Sequence, residues 1–253
     1  IDNVLNHDYN LGIIRYQTNF ERTLGYEASA VIVENYLYLG DNSGMFYCVD
    51  LNTMELVWVQ DTKDETYASS VFQWVSPTEG YIYTAPTLHW TQNTEAKGTV
   101  SIYKLDALTG EILWETPYDV QAVSGISGGV YASPVLGKAG STIGDMVIYR
   151  ISGATGVNSG VLVALNTDTG ETVWTMDIDR DTGSSPVALY TTNGTAYIVV
   201  CDGAGDVMLV DGKTGRMLNK VSLGRSVNVS PVAFDNMLIV ATDDRKINGI
   251  RVS

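Results

Sequence analysis

The sequence predicts an all-β fold, a β-propeller of four-stranded antiparallel blades. Three observations lead there. One nine-residue template recurs at spacings of 42, 56, 60 and 45 residues, and a repeat of about 40 to 50 residues marks propellers and solenoids. Short runs rich in Tyr, Val, Ile, Thr and Trp are separated by Asp/Gly turns, as pleated, half-buried strands require. No stretch sustains an amphipathic helical period beyond about two turns.

The template is read from "DLNTMELVW" (50–58), "DALTGEILW" (106–114), "NTDTGETVW" (166–174) and "DGKTGRMLN" (211–219). It runs Asp or Asn, two variable residues, Thr-Gly, then an aromatic four residues past the Gly. "HDYNLGIIRY" (7–16) reads as a fifth copy, so the template's final positions are Tyr16, Trp58, Trp114, Trp174 and Asn219. Before the template come two apolar strands around a polar turn, as in "LYLGDNSGMFYCVD" (37–50), "IVVCDGAGDVMLVD" (198–211) and "IVATDDRKINGIRV" (239–252). Earlier still, each unit opens on small residues, as in "YASPVLG" (131–137), "SSPVALY" (184–190) and "VSPVAFD" (229–235).

A single propeller domain over 1–253 follows, with blades at 29–66, 67–130, 131–183, 184–228 and 229–253, and a fourth strand plus linker at 1–28. The last blade lacks its own fourth strand, while 11–18 is a fourth strand without a preceding unit. Two arrangements fit: a five-bladed ring closed by the N-terminal strand, or part of a larger propeller.

"VALNTDTGETVW" (163–174) and "YKLDALTGEILW" (103–114) resemble the repeats of pyrroloquinoline-quinone-like (PQQ-like) propellers, the quinoprotein alcohol-dehydrogenase-like superfamily. The resemblance covers nearly the whole chain. It implies that Trp58, Trp114 and Trp174 dock each blade against the next, with Tyr16 as a substitute, and that Asn219 departs from the pattern. The enzymes of that family are expected to hold quinone between a vicinal disulfide and a Trp platform, beside a carboxylate-ligated calcium. Here Cys48 and Cys201 are far apart. PQQ is therefore not expected, and fold alone assigns no activity.

Composition narrows the function. Fifteen Lys and Arg against 29 Asp and Glu give a net charge of −14, which repels phosphate backbones, so no nucleic acid partner is expected. No apolar run of about 18 residues is present, and no membrane insertion within this chain is expected. The two cysteines have no metal or redox spacing and read as buried thiols. No basic-then-apolar leader precedes Ile1, so the chain reads as processed or excised.

The motifs that suggest chemistry are weak. "GISGG" (125–129) has the letters of a nucleophile elbow, but a strand start follows it where a helix is needed. "GKAGST" (137–142) lacks phosphate-loop spacing. "DIDRDTG" (177–183) sets Asp177, Asp179 and Asp181 at alternate positions, as a calcium loop would. Its Gly comes one place late and no bidentate Glu follows, so the competing reading is a solvated strand edge. "NGT" (193–195) reads as a turn rather than a glycosylation site.

Irregular lengths are more informative. The repeats ending at Trp114 and Trp174 carry insertions at 85–98, 151–160 and 137–145. Binding residues concentrate in loops on a rigid scaffold. His89, Trp90 and Asn93 are the candidate exposed contacts, with 118–131 as the neighbouring linker. The resulting expectation is a noncatalytic binding or scaffolding module for a protein or glycan partner, extracytoplasmic, with no cofactor. The alternatives are a quinone- or calcium-dependent enzyme using the inserted loops, and a sensory ectodomain.

Overall fold

The computed structural model describes residues 25–89, 91–122, 128–156 and 158–252. The chain divides into two compact units, 1–130 and 131–253. Among the described residues every regular element is a strand, and no helix is long and apolar enough to cross a membrane.

The first unit holds two antiparallel four-stranded sheets. One is β1 (Val31–Val33), β2 (Tyr36–Gly40), β3 (Met45–Asp50) and β4 (Glu55–Asp61). The other is β5 (Val71–Ser76), β6 (Glu79–Thr84), β7 (Lys97–Asp106) and β8 (Ile112–Gln121). In the second unit the first sheet is β9 (Val135–Leu136), β10 (Met146–Ser152), β11 (Gly160–Asn166) and β12 (Thr172–Ile178). Next comes β13 (Val187–Tyr190), β14 (Ala196–Cys201), β15 (Asp206–Asp211) and β16 (Met217–Ser222). A sheet of β17 (Val232–Phe234), β18 (Met237–Thr242) and β19 (Lys246–Arg251) ends the chain. In every sheet the strands pair in chain order, each with its sequence neighbour. The expected strand at 11–18, and Tyr16 with it, lie outside the described residues.

The template is a turn between third and fourth strands, and each of its letters has a bond. Asp106 Oδ1 accepts from the amides of Leu108 and Thr109, both at 2.8 Å. Asn166 does the same for Asp168 and Thr169 at 2.9 and 3.0 Å, and Asp211 for Lys213 and Thr214 at 3.0 Å. The threonine hydroxyl then accepts from the amide two residues on, in Thr53, Thr109, Thr169 and Thr214 alike. Gly110, Gly170 and Gly215 adopt φ of +76°, +72° and +71°, where a side chain is strained. In the first copy Met54 takes that place at φ +58°.

A β-bulge follows in all four complete sheets. The register slips at Cys48/Val49, Lys104/Leu105, Ala164/Leu165 and Leu209/Val210, which leaves Val57, Leu113, Val173 and Leu218 unpaired. Bulges bend a strand and re-aim the side chains beside them. The residue after each bulge is the template's last letter: Trp58, Trp114, Trp174 or Asn219.

Two of those tryptophans join sheets, one in each unit. Trp58 Nε1 donates to the Ala107 carbonyl at 3.0 Å, joined there by the Tyr38 hydroxyl at 3.2 Å. Trp174 Nε1 donates to the Gly212 carbonyl at 2.9 Å. Ala107 and Gly212 are the second residues of the following template. The template glycines make room for the rings: a Cβ on Gly110 would lie 2.6 Å from the Trp58 ring, and one on Gly215 2.5 Å from the Trp174 ring. Apolar cores form around both contacts, with Tyr38, Phe46, Ile82 and Leu105 in the first unit and Ile148, Leu162, Ile198 and Val210 in the second. Trp114 is half-buried and tilts against Tyr83 of its own sheet, with ring centroids 5.8 Å apart. Asn219 is exposed.

Insertion lengths differ from the sequence expectation at one place. β7 and β8 are ten residues each, so the inserted segment becomes strand from Lys97 onward, and residues 118–121 of the supposed linker also belong to the hairpin. The inserted loop proper is 85–96.

Candidate functional site

The inserted loop of the first unit is built onto a frame of buried polar groups. After β4 the chain crosses to the next sheet through Thr62, Lys63, Asp64, Glu65 and Thr66. Asp64 is 1% exposed and Glu65 is 2% exposed. Asp64 Oδ2 accepts from the amides of His89 and Thr91, each at 3.0 Å, and from the Thr91 hydroxyl at 2.8 Å. The Glu65 carbonyl accepts from the Thr87 amide at 2.8 Å, and its carboxylate faces His89 Nδ1. From the other side, Leu88 N donates to the Gly128 carbonyl at 2.6 Å and Val130 N to the Pro86 carbonyl at 3.1 Å. Leu88 is buried at the centre, so close to β7 that a Cβ on Gly98 would meet its side chain at 2.5 Å.

The crossing segment is itself held. Lys63 Nζ reaches Glu115 on β8 at 2.9 Å. Burial raises the Glu115 carboxyl, but the Lys63 ammonium and the Ser101 hydroxyl hold it below the usual carboxylate range. The bond to Glu115 raises Lys63 in return. Beside this frame Asp41 is buried and accepts from Ser43, Met45 and Tyr47. Burial pushes its carboxyl up, while those bonds oppose the shift.

His89 is therefore corrected from an exposed contact to a buried one, 8% exposed and engaged by Glu65. The physical reason is the crossing segment, whose two acids supply partners that fold the root of the loop inward. Asn93 is exposed, and its side chain closes the loop's tip by accepting from the amides of Glu95 and Lys97 at 2.9 and 3.1 Å. Residues 91–95 form that exposed tip. Trp90 lies outside the described residues. Asp64 and Glu65 did not stand out as site residues in the sequence. Their signal is an acidic pair six and seven residues after Trp58, in a segment that only joins two sheets.

The second unit repeats the device. Asp181, seven residues after Trp174, turns inward and accepts from Arg150 Nε at 2.5 Å and from the Ser152 hydroxyl. Arg150, 1% exposed, spends Nη1 on the carbonyls of Ser184 and Cys201 at 3.0 and 2.6 Å. The Asp181 amide donates to Asn158 O at 2.8 Å, tying the 153–159 connection to this linker. Asp177 and Asp179 are exposed and do not join Asp181, which is the correction to the proposed calcium triad. Arg150 has taken the third carboxylate, Asp181. Among the described residues no three acidic, His or Cys side chains group so as to hold a metal.

Residues 158–252 match the family model described as "Outer membrane protein assembly factor BamB". No curated protein matches the sequence. Among solved structures, a europium-containing methanol dehydrogenase is 14% identical, aligned over 79% of this chain and 42% of its own, with TM-score 0.55. The quinohemoprotein alcohol dehydrogenase from Comamonas testosteroni is 13% identical over 90% and 43%, with TM-score 0.57. BBS1N in complex with ARL6DN is 14% identical over 91% and 61%, with TM-score 0.55. The chain thus spans less than half the length of the two dehydrogenases. Its fold is that of the PQQ-like repeat propellers.

The vicinal disulfide that the resemblance implies beside a quinone needs adjacent cysteines, and the two cysteines here are far apart. Cys48 and Cys201 sit on β3 and β14 as buried free thiols, each pushed up to about 12 by burial. They cannot form a vicinal disulfide.

Proposed function

We propose that this chain is a noncatalytic PQQ-like propeller module that binds or scaffolds a protein partner outside the cytoplasm, with the inserted loop 85–96 as its contact. The observation that carries this reading is the loop's construction. Its root is fixed by buried Asp64 and Glu65, while its tip at 91–95 is exposed. A loop held in one shape loses little conformational freedom on binding, which favours affinity. The tip is polar, with Thr91, Gln92, Asn93, Thr94 and Glu95 in succession, as at the rim of a protein interface.

The family description supports the partner class and the compartment. An assembly factor for outer membrane proteins acts on other proteins, in the cell envelope. A net charge of −14 also suits a protein partner better than a nucleic acid.

The test is site-specific photo-crosslinking in the native host. A photoreactive residue at Glu95 is expected to trap one discrete protein adduct, and the same residue at Val173, on an exposed strand of the second unit, is expected to trap none. Equal adducts from both sites, or none from Glu95, would reject the loop as the contact.

A further inference from the structure

We propose that the end of the first unit opposite the inserted loop docks an arginine-bearing segment of another protein, with a guanidinium laid on the exposed ring of Trp74 and further arginines paired with the glutamates around it. This surface shares no residue with the loop 85–96 and does not depend on that reading.

Strands that pair in chain order send every second connection to the same end of a sheet. The turns β1–β2 and β3–β4 therefore emerge together, tied by Leu51 N donating to the Asn35 carbonyl at 2.7 Å. The turns β5–β6 and β7–β8 are tied in the same way by Ala107 N and the Gly80 carbonyl at 2.9 Å. The bonds of Trp58 and Tyr38 to the Ala107 carbonyl join the two sheets at this end.

Trp74 stands near the end of β5 here. It faces the same side as Phe72, two residues earlier, and Phe72 packs on Tyr38 of the neighbouring sheet with ring centroids 5.8 Å apart. The cross-strand partner of Trp74 is Gly80, which has no side chain to cover the ring, and a bulge follows that leaves Val75 unpaired. Bulges re-aim the side chains beside them. Whereas Trp58 and Trp174 are buried and hydrogen-bonded, Trp74 is 49% exposed, next to Val75 at 48%. Counted from the small-residue start of each unit, the other four place Glu34, Lys138, Tyr190 and Asp235 at this position. The fold thus accepts a charged residue there and does not require a tryptophan. Tryptophan and arginine are enriched among the residues that dominate protein interfaces.

Charge selects the partner. Residues 1–130 carry 17 acidic and five basic residues, against 12 and ten in 131–253. Glu34, Glu55, Glu79 and Glu111 are all exposed, each in or beside one of the four turns. Glu79 closes the same hairpin as Trp74, and Glu34 holds the equivalent place on the neighbouring sheet. No Lys, Arg or His occurs in 33–36, 49–56, 74–81 or 105–113. The adjoining base, Lys104, is buried on β7 with its ammonium 3.8 Å from the centre of the Tyr81 ring. An aromatic face among carboxylates attracts a cation on both counts, and arginine suits it better than lysine, because a planar guanidinium stacks on the ring and forks onto a carboxylate. A second copy of this chain presenting the same end would set acids against acids.

The probe is a fluorescein-labelled peptide of four Arg-Ser repeats, titrated with the full chain by anisotropy near physiological ionic strength. Saturable binding is expected. Trp74→Leu keeps an apolar side chain but removes the aromatic face, and is expected to weaken binding about threefold or more. The double variant Glu34→Gln with Glu79→Gln is expected to weaken it at least fivefold. Asp177→Asn with Asp179→Asn removes the same charge from the second unit and is expected to change binding less than twofold. A peptide of Lys-Ser repeats is expected to bind at least threefold more weakly. All these positions are exposed, and thermal melts confirm that the variants remain folded. Five outcomes overturn the proposal: no saturable binding, binding unaffected by Trp74→Leu, equal losses from the two carboxylate pairs, equal binding of the lysine peptide, or self-association of the chain alone that Trp74→Leu abolishes. The last would make a second copy the occupant.

Discussion

Trp174 donates its indole N–H to the Gly212 carbonyl at 2.9 Å, and this single bond ties the last strand of one sheet to the template turn of the next. Trp58 and Ala107 repeat it at 3.0 Å. Trp174→Phe keeps the apolar bulk but leaves a buried carbonyl unpaired, which costs about 1 to 3 kcal/mol. Gly215→Ala combines a strained positive φ with a methyl driven into the Trp174 ring, at about 2 to 4 kcal/mol. In urea melts Gly110→Ala is expected to match Gly215→Ala, while Trp58→Phe is expected to cost less than Trp174→Phe, because the Tyr38 hydroxyl still donates to the Ala107 carbonyl.

Met54 holds the left-handed position that glycine fills in the other complete copies, at φ +58°. Its side chain is exposed, so little packing is lost on removing it. Met54→Gly is expected to stabilise the chain by about 1 kcal/mol, read as an upward shift in melting temperature.

Asp64, 1% exposed, gathers three donors from the inserted loop. Asp64→Ala leaves those donors unpaired and is expected to cost about 2 to 4 kcal/mol. Limited proteolysis should report it first, as new cleavage within 85–96, with the sheets of the second unit unaffected.

Lys220 holds the Asp206 carboxyl below its ordinary value of 3.8. A carboxylate lowered in this way contributes stability that is complete above its unfolded value and is lost as pH falls through the folded one. The contribution therefore disappears below about pH 4, near the ordinary aspartate range. In Lys220→Met the Asp206 titration, followed by carboxyl-carbon NMR, is expected to move to higher pH, and acid unfolding to begin at higher pH with it.

Turn chemistry was legible in the sequence because it is local. The Asx oxygen, the threonine hydroxyl and the glycine act within five residues of one another, so their spacing carries their bonds. The alternation of apolar runs around them located the sheets for the same reason. What joins distant segments was not legible. His89 meets Glu65 across 24 residues, and nothing in a polar insertion shows that its root will be buried. Asp181 looked like one of three equivalent acids until Arg150, 31 residues earlier, claimed it. The bulge before each tryptophan was hidden as well, because it is a property of pairing register rather than of residue type.

The most direct test of the proposed role is hydrogen exchange of the full chain with and without the partner captured through Glu95. Binding at the inserted loop predicts slowed exchange at residues 87–97 and at Asp64 to Thr66 beneath them, with β10 to β12 unchanged. Slowed exchange confined to the second unit, with the loop unaffected, would contradict it.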